Sequence, residues 1–315
     1  MSPQKFYLLL ALLLGGVLFT WISSSGESEE KKLTIGILQT ASHPALDQTR
    51  DSFIGEIKEL LQGDVDFVVQ NAEGSQSAAQ SIAESFHARR KIDAIFAIGT
   101  PAVQAAARIE QEKPIFIAAV SEPESLGLGK NICGASDRIH TEAQADFIRQ
   151  LLPNVQKIAI LYNPGESNSS AMVQKMEQSV RHKGIECHLL GVHAESEIVQ
   201  AVMSASRKAD ALLVPADNLL VAAMPLLAKE AAKRGRPLIA SDIPSVEKGA
   251  LAAQGADYRD LGRQTARLAY RVLALGETPE IIGIEDPENV KIALNEPLLS
   301  HLKIVLPESI HKEAL

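Results

Sequence analysis

Short apolar runs bounded by polar turns recur along this chain, and segments with helical spacing separate them. The runs fall at 33–38 (LTIGIL), 65–70, 94–98, 115–120, 157–162 (KIAILY), 185–192, 211–214 and 238–240. Most are apolar throughout rather than alternating, which is the pattern of strands covered on both faces of a parallel sheet. One pattern is written twice. From Asp93 the chain reads DAIFAIGTPAVQAAA and then EKPIFIAAVS, and from Asp210 it reads DALLVPADNLLVAAM and then GRPLIASD. Each copy predicts strand, polar loop, Ala-rich helix, turn and second strand. Two such units predict an α/β protein of two Rossmann-like parallel-sheet lobes joined by a multi-strand hinge. The polar residues stand where strands end and helices begin, which is where open α/β sheets bind ligands.

In chain order, helices are expected at about 45–61, 76–90, 101–109, 141–151, 171–184, 196–206 and 261–275. Thr100 followed by Pro101 reads as an N-cap with proline at the first helical position. The glycine-bearing stretch 121–136 reads as a loop-rich first passage between lobes. Residues 250–253 read as a short strand, 254–260 as the return passage, 278–288 as a turn-rich connector, and 290–295 as a third passage. The expected division is lobe one at 33–136 with 255–287, and lobe two at 137–254 with 288–315.

Composition narrows the partners. A formal net charge of −8 and the lack of any Lys/Arg-rich run argue against nucleic acid. Residues 1–32 stand apart from the fold: Lys5 precedes an apolar run at 6–22, and Ser23-Ser24-Ser25-Gly26 follows. That is an export signal in outline, either cleaved or kept as a membrane anchor, and it places the body outside the cytoplasm. No cysteine follows the run, so a lipid-anchor site is not expected. Cys133 and Cys187 lack C-x-x-C spacing and read as buried core residues, with a disulfide as the alternative.

Seven short segments, in this order, carry a family resemblance: HPALD (43–47), NAEG (71–74), AIGTPAVQAA (97–106), AAVSEP (118–123), LYNPGESNS (161–169), PADN (215–218) and GADYRDLG (255–262). The chain resembles the tryptophan/tyrosine-type substrate-binding proteins of ABC transporters over everything after about Lys32. The resemblance implies a type I periplasmic-binding-protein fold, an aromatic amino acid held in the interlobe cleft, and a membrane permease and its ATPase as partners. Leucine-type amino-acid binders share that architecture.

A zwitterion in a dry cleft needs donors for its carboxylate and acceptors for its ammonium. The candidate ligand-binding residues are Gln39, His43, Thr100, Ser121 and Asp137 from the first half, and Asn163, Ser169, Asp217, Asn218 and Asp242 from the second. Thr100, Ser121 and Ser169 offer hydroxyls, while Asp217, Asn218 and Asp242 offer acceptors. Each has a structural alternative: Thr100, Ser169, Asp217 and Asn218 as helix caps, Asp242 as a turn residue before Pro244, Asp137 as a hinge support, and Gln39 and His43 as solvated side chains. No Arg or Lys stands at these corners, which favours a ligand without strong net negative charge. Tyr162, Phe53 and Tyr258 are the candidate aromatic contacts.

Other chemistry is set aside. Cys187 and His188 point to opposite faces of a strand, so a shared metal with His193 is not expected. Ser245-Val246-Glu247-Lys248 fits S-x-x-K but lacks its companion motifs. Asn168-Ser169-Ser170 is a glycosylation sequon, but it coincides with a cleft loop, where a glycan would block closure. No cofactor motif and no catalytic constellation is present. The expected function is therefore binding and delivery, with a membrane-anchored sensor or an enzyme of the cleft as alternatives.

Overall fold

The computed structural model describes residues 32–307 and 310; the expected export segment lies outside the described residues. Two six-stranded sheets organise the chain. The first holds β1 (Leu33–Gln39), β2 (Val65–Asn71), β3 (Ala94–Ile98), β4 (Ile115–Ala118), β5 (Ile132–Ala135) and β11 (Ile284–Glu285), in the order β11-β5-β4-β3-β1-β2. The second holds β6 (Lys157–Tyr162), β7 (Glu186–Gly191), β8 (Ala211–Val214), β9 (Leu238–Ala240), β10 (Ala252–Ala256) and β12 (Val290–Leu294), in the order β12-β10-β9-β8-β6-β7. The pairings of β3 with β1 and β4, of β5 with β4 and β11, of β6 with β7 and β8, and of β9 with β8 and β10 are parallel, while β10 and β12 run antiparallel at the edge. This is the two-lobed periplasmic-binding-protein type I architecture.

The repeated sequence unit is the centre of each sheet. β3 and β8 occupy equivalent positions, each beside the first strand of its lobe. The leading aspartates do the same work in both. The Asp93 carboxylate accepts from Thr34 N at 3.0 Å, and the Asp210 carboxylate accepts from Lys157 N at 2.9 Å, so each pins the start of the neighbouring strand. Burial on both faces explains the unbroken apolar runs. In β3, Ile95 and Ala97 pack towards α2 (Gln76–Ala88) and α3 (Thr100–Ile109), while Phe96 stacks on Phe53 of α1 (Pro44–Leu60) with ring centroids 3.9 Å apart. In the second sheet, Ile158 and Ile160 pack with α4 (Thr141–Leu151) and α5 (Ser167–His182), whereas Ala159 and Leu161 pack with α6 (Ile198–Lys208).

Four local readings are corrected. The stretch 121–136 is not all loop, because Ile132–Ala135 adds a strand to the first sheet. The strand expected at 250–253 is Ala252–Ala256. The Ala-rich segment of the second copy is broken into α7 (Asn218–Ala222) and α8 (Met224–Ala232), because Pro225 has no N–H to continue a helix and instead begins one. Thr100 is not an N-cap: Gly99 takes that position, and the hydroxyl that receives an orphan amide of α3 belongs to Thr40, 3.1 Å from Ala102 N.

The chain passes between the sheets three times, after β5, after β10 and after β11. The passages bond to one another: Ser136 N donates to Glu285 O at 2.8 Å, Ser136 Oγ to Asp286 at 2.9 Å, and Asp257 N to Asn289 O at 3.2 Å. After the second passage, α9 (Tyr258–Leu273) returns to pack along α1. The contact is close at Gly262, where an added Cβ would lie 2.3 Å from Thr49 O, so the helices meet only because that residue has no side chain.

Candidate ligand-binding site

In both sheets the strand order reverses at the first strand, and the loops at that point face each other. On the first-lobe side, Gly99 adopts φ of 86°, a region open to glycine, and brings the chain against Thr40. On the second-lobe side, Asp217 closes the equivalent corner. Its Oδ2 accepts from Asn163 N and from Ser169 Oγ, both at 2.6 Å, and its Oδ1 accepts from Leu220 N at 2.9 Å.

A small cavity of about 20 Å³ lies between these corners, room for about one water and well below the size of a small-molecule site, as fits lobes already in contact. Six of the candidate residues line it: His43, Ser121, Asp137, Asp217, Asn218 and Asp242. Asn163 lines a larger, more open cavity beside it, which shares Asn218. Gln39, Thr100 and Ser169 line neither. Gln39 is wholly buried and engaged by Ala41 O, Asp47 and Arg50, Thr100 is buried beside the corner, and Ser169 serves Asp217.

Residues 34–315 match the family model for ABC transporter substrate binding protein. The chain belongs to that family. It is 36% identical over 323 residues to a tyrosine-binding protein of Clostridioides difficile (strain R20291), covering 96% of this chain and 92% of the relative. It is also similar to a solved ABC domain from Streptococcus pneumonia in complex with L-Trp, with 30% identity, a TM-score of 0.83, and coverage of 89% and 98% of the two chains. A ligand-free, open substrate-binding protein with adhesive properties from Clostridium difficile gives 33% identity, a TM-score of 0.68, and coverage of 90% and 99%. Substrate-binding proteins of ABC transporters take a small-molecule ligand and work outside the cytoplasm.

This substrate-binding protein superposes better on the L-Trp complex than on the open form, and its lobes are in direct contact. Gln104 Nε2 donates to Ser167 Oγ at 2.9 Å, Lys175 Nζ pairs with Glu122 at 2.5 Å, and His43 Nε2 lies 3.4 Å from Asn218 Oδ1.

Between the lobes the site is acidic. Three aspartates line the cavity and no lysine or arginine does. Burial pushes Asp242 up to about 6, against the bonds from Ser245, and the charge of Asp137 adds to the rise. Burial also raises Asp137, against donors from Ser121 Oγ at 2.8 Å and Tyr258 Oη at 2.9 Å. Asp217 is raised by burial and then by neighbouring Glu166. Burial lowers His43 to about 4, so its ring is neutral at pH 7.

Asn168 and Ala119 were not among the candidate ligand residues. Asn168 lines the cavity, donates to Ala216 O at 2.9 Å, and keeps a buried Oδ1 without a partner. The sequon reading had set it aside; its burial now explains why that asparagine is not a surface acceptor. Tyr258 lines the cavity and gives its hydroxyl to Asp137, whereas Phe53 and Tyr162 pack in the cores. Ala119 lines it with φ of 57°, a left-handed backbone that costs a non-glycine residue about 1 kcal/mol. Asp242 performs its alternative role as well, accepting from Ser245 N at 3.1 Å and Ser245 Oγ at 2.6 Å. The S-x-x-K serine is thus a turn residue. Cys133 and Cys187 are buried in separate sheets and unpaired.

Proposed function

We propose that this protein captures an amino acid of the tyrosine or tryptophan class between its lobes and hands it to a membrane permease driven by its ATPase. The observation that carries this reading is the set of buried carboxyls with no cation of the protein among them. Unpaired buried carboxylates are costly, and a ligand ammonium supplies the missing charge. Asp217 and Asp242 are the acceptors for it, with the Asn218 carbonyl beside them. The aromatic class rests on the ligands named for the two relatives above. The moving bodies are taken as the two sheets with their flanking helices, and the hinge as the three bonded passages. Residues 1–32 are read as a signal peptide or signal-anchor followed by a charged tether at 27–32, in keeping with a carrier at the outer face of the cytoplasmic membrane or in the periplasm.

Thermal unfolding against the proteinogenic amino acids, with sugars and nucleosides as controls, tests the reading. A ligand at a hundred times its dissociation constant adds about 2.7 kcal/mol of stability. A shift confined to tyrosine, tryptophan or phenylalanine supports the proposal. A shift with a different compound replaces the ligand class. Stimulation of uptake by a reconstituted permease, dependent on this protein, tests delivery.

A further inference from the structure

We propose that Glu166 acts across the cleft, through Asn218, to hold His43 in its Nε2–H tautomer and so to present a bare Nδ1 to a hydrogen-bond donor of the ligand. Glu166 belongs to the second lobe, in the loop that leads into α5. Its carboxylate accepts four bonds: from Asn163 Nδ2 at 3.2 Å and Leu219 N at 3.2 Å on one oxygen, and from Asn218 N at 3.1 Å and Asn218 Nδ2 at 2.6 Å on the other. A carboxylate saturated in this way only accepts. The amide of Asn218 must therefore turn its NH2 to Glu166, and its carbonyl oxygen is left facing the other lobe.

There, Asn218 Oδ1 lies 3.4 Å from His43 Nε2. A carbonyl oxygen cannot donate, so the ring nitrogen facing it carries the proton. Burial outweighs both the Asn218 bond and the charge of Asp47, and lowers His43 to about 4, so the ring holds one proton at neutral pH. That proton is on Nε2, and Nδ1 is a lone pair. His43 is 7% exposed, lines the cavity, and its Nδ1 has no partner among the described residues. A buried acceptor without a donor is destabilising, and such atoms in native proteins call for an explanation. Here the explanation is a ligand donor, either the ammonium or a ring N–H or O–H. Glu166 itself does not line that cavity; it is a positioning residue. The inference rests on the amino-acid reading above for the nature of the donor, but not for the tautomer.

The test uses the protein labelled with 15N-histidine, with His43 assigned by comparison with His43→Gln. At pH 7.5 without ligand, the His43 nitrogens are expected to show the Nε2–H pattern alone. Glu166→Gln presents both a donor and an acceptor to Asn218 and releases the amide, so the tautomer preference is expected to be lost. Asn218→Leu cuts the link at a half-buried position and gives the same loss should Glu166→Gln fold poorly. In ligand titrations, Glu166→Gln is expected to weaken tyrosine and tryptophan about tenfold, the effect of one unsatisfied buried group. Phenylalanine, which has no ring donor, and the deaminated analogues of tyrosine and tryptophan show which donor meets Nδ1. An Nδ1–H pattern in the wild-type protein overturns the proposal, as does an unchanged tautomer in both variants. If tyrosine and tryptophan fail to bind while the tautomer behaves as described, the ligand reading falls and the relay stands.

Discussion

The Tyr258 hydroxyl donates a 2.9 Å hydrogen bond to Asp137 across 121 residues of sequence, joining the first passage between the lobes to the helix that follows the second. Both side chains are buried, and Ser121 donates to the other carboxylate oxygen. The three groups sit where the lobes hinge and where the cavity is walled.

Tyr258→Phe leaves Asp137 with one side-chain donor and no access to water. The expected loss is about 1–3 kcal/mol of unfolding free energy at pH 7.5. Because burial already raises Asp137, the variant raises it further, and the loss shrinks as the carboxyl protonates on acidification. Urea unfolding at pH 5 and pH 7.5 checks this; an equal loss at both values means that Asp137 is not the group affected.

Asp242 gives a pH dependence whose sign can be worked out. Its folded value of about 6 lies above the unfolded value of about 3.9, so between those values the folded state holds a proton that the unfolded state lacks. Its contribution to stability therefore falls as pH rises from about 4 to above about 6. The stability of the ligand-free wild type minus that of Asp242→Asn should drop by roughly 1–3 kcal/mol between pH 5 and pH 7.5. A bound ammonium favours the ionised carboxyl, so saturating ligand should flatten that drop. Melting curves of both proteins with and without ligand decide it.

Asp217 carries two roles, and two substitutions separate them. Asp217→Ala removes the cap of α7 and the partners of Asn163 N and Ser169, so it should cost stability by roughly 1–3 kcal/mol as well as affinity. Asp217→Asn keeps an acceptor and loses the charge, so it should weaken ligand binding by roughly 2–5 kcal/mol with less effect on stability. Calorimetric titration alongside urea unfolding distinguishes the two, and an unchanged affinity in both variants removes Asp217 from the site.

Gly99→Ala tests the first-lobe corner. The backbone there has φ of 86°, and an added Cβ would lie 2.7 Å from Thr40 Oγ1. The expected cost exceeds 1 kcal/mol from the backbone alone, with further loss as Thr40 leaves Ala102 N. A melting temperature within error of wild type means that the corner relaxes freely.

Much of the fold was legible along the chain. Strands covered on both faces leave continuous apolar runs, and the two centres of the sheets are written as one repeated unit with its aspartate. The candidate corners were legible for the same reason, since a strand end followed by a helix start is a local pattern. Six of the ten candidate residues line the cavity.

The rest was decided by contacts between distant segments. Thr40 rather than Thr100 receives the orphan amide of α3, because the corner is closed by the neighbouring strand's loop and not by the helix's own first residue. Asn168 reads in sequence as part of a cleft loop, but only its depth shows that its side chain lines the cavity. Glu166 reaches Asn218 across 52 residues, and Asn218 reaches His43 across 175. Sequence alone determined which residue types stand at the corners and that no cation is among them. Tertiary structure decided which of their atoms are buried, which are already partnered, and which are left to face a ligand, because desolvation and hydrogen-bond direction depend on groups that meet only when both lobes are folded.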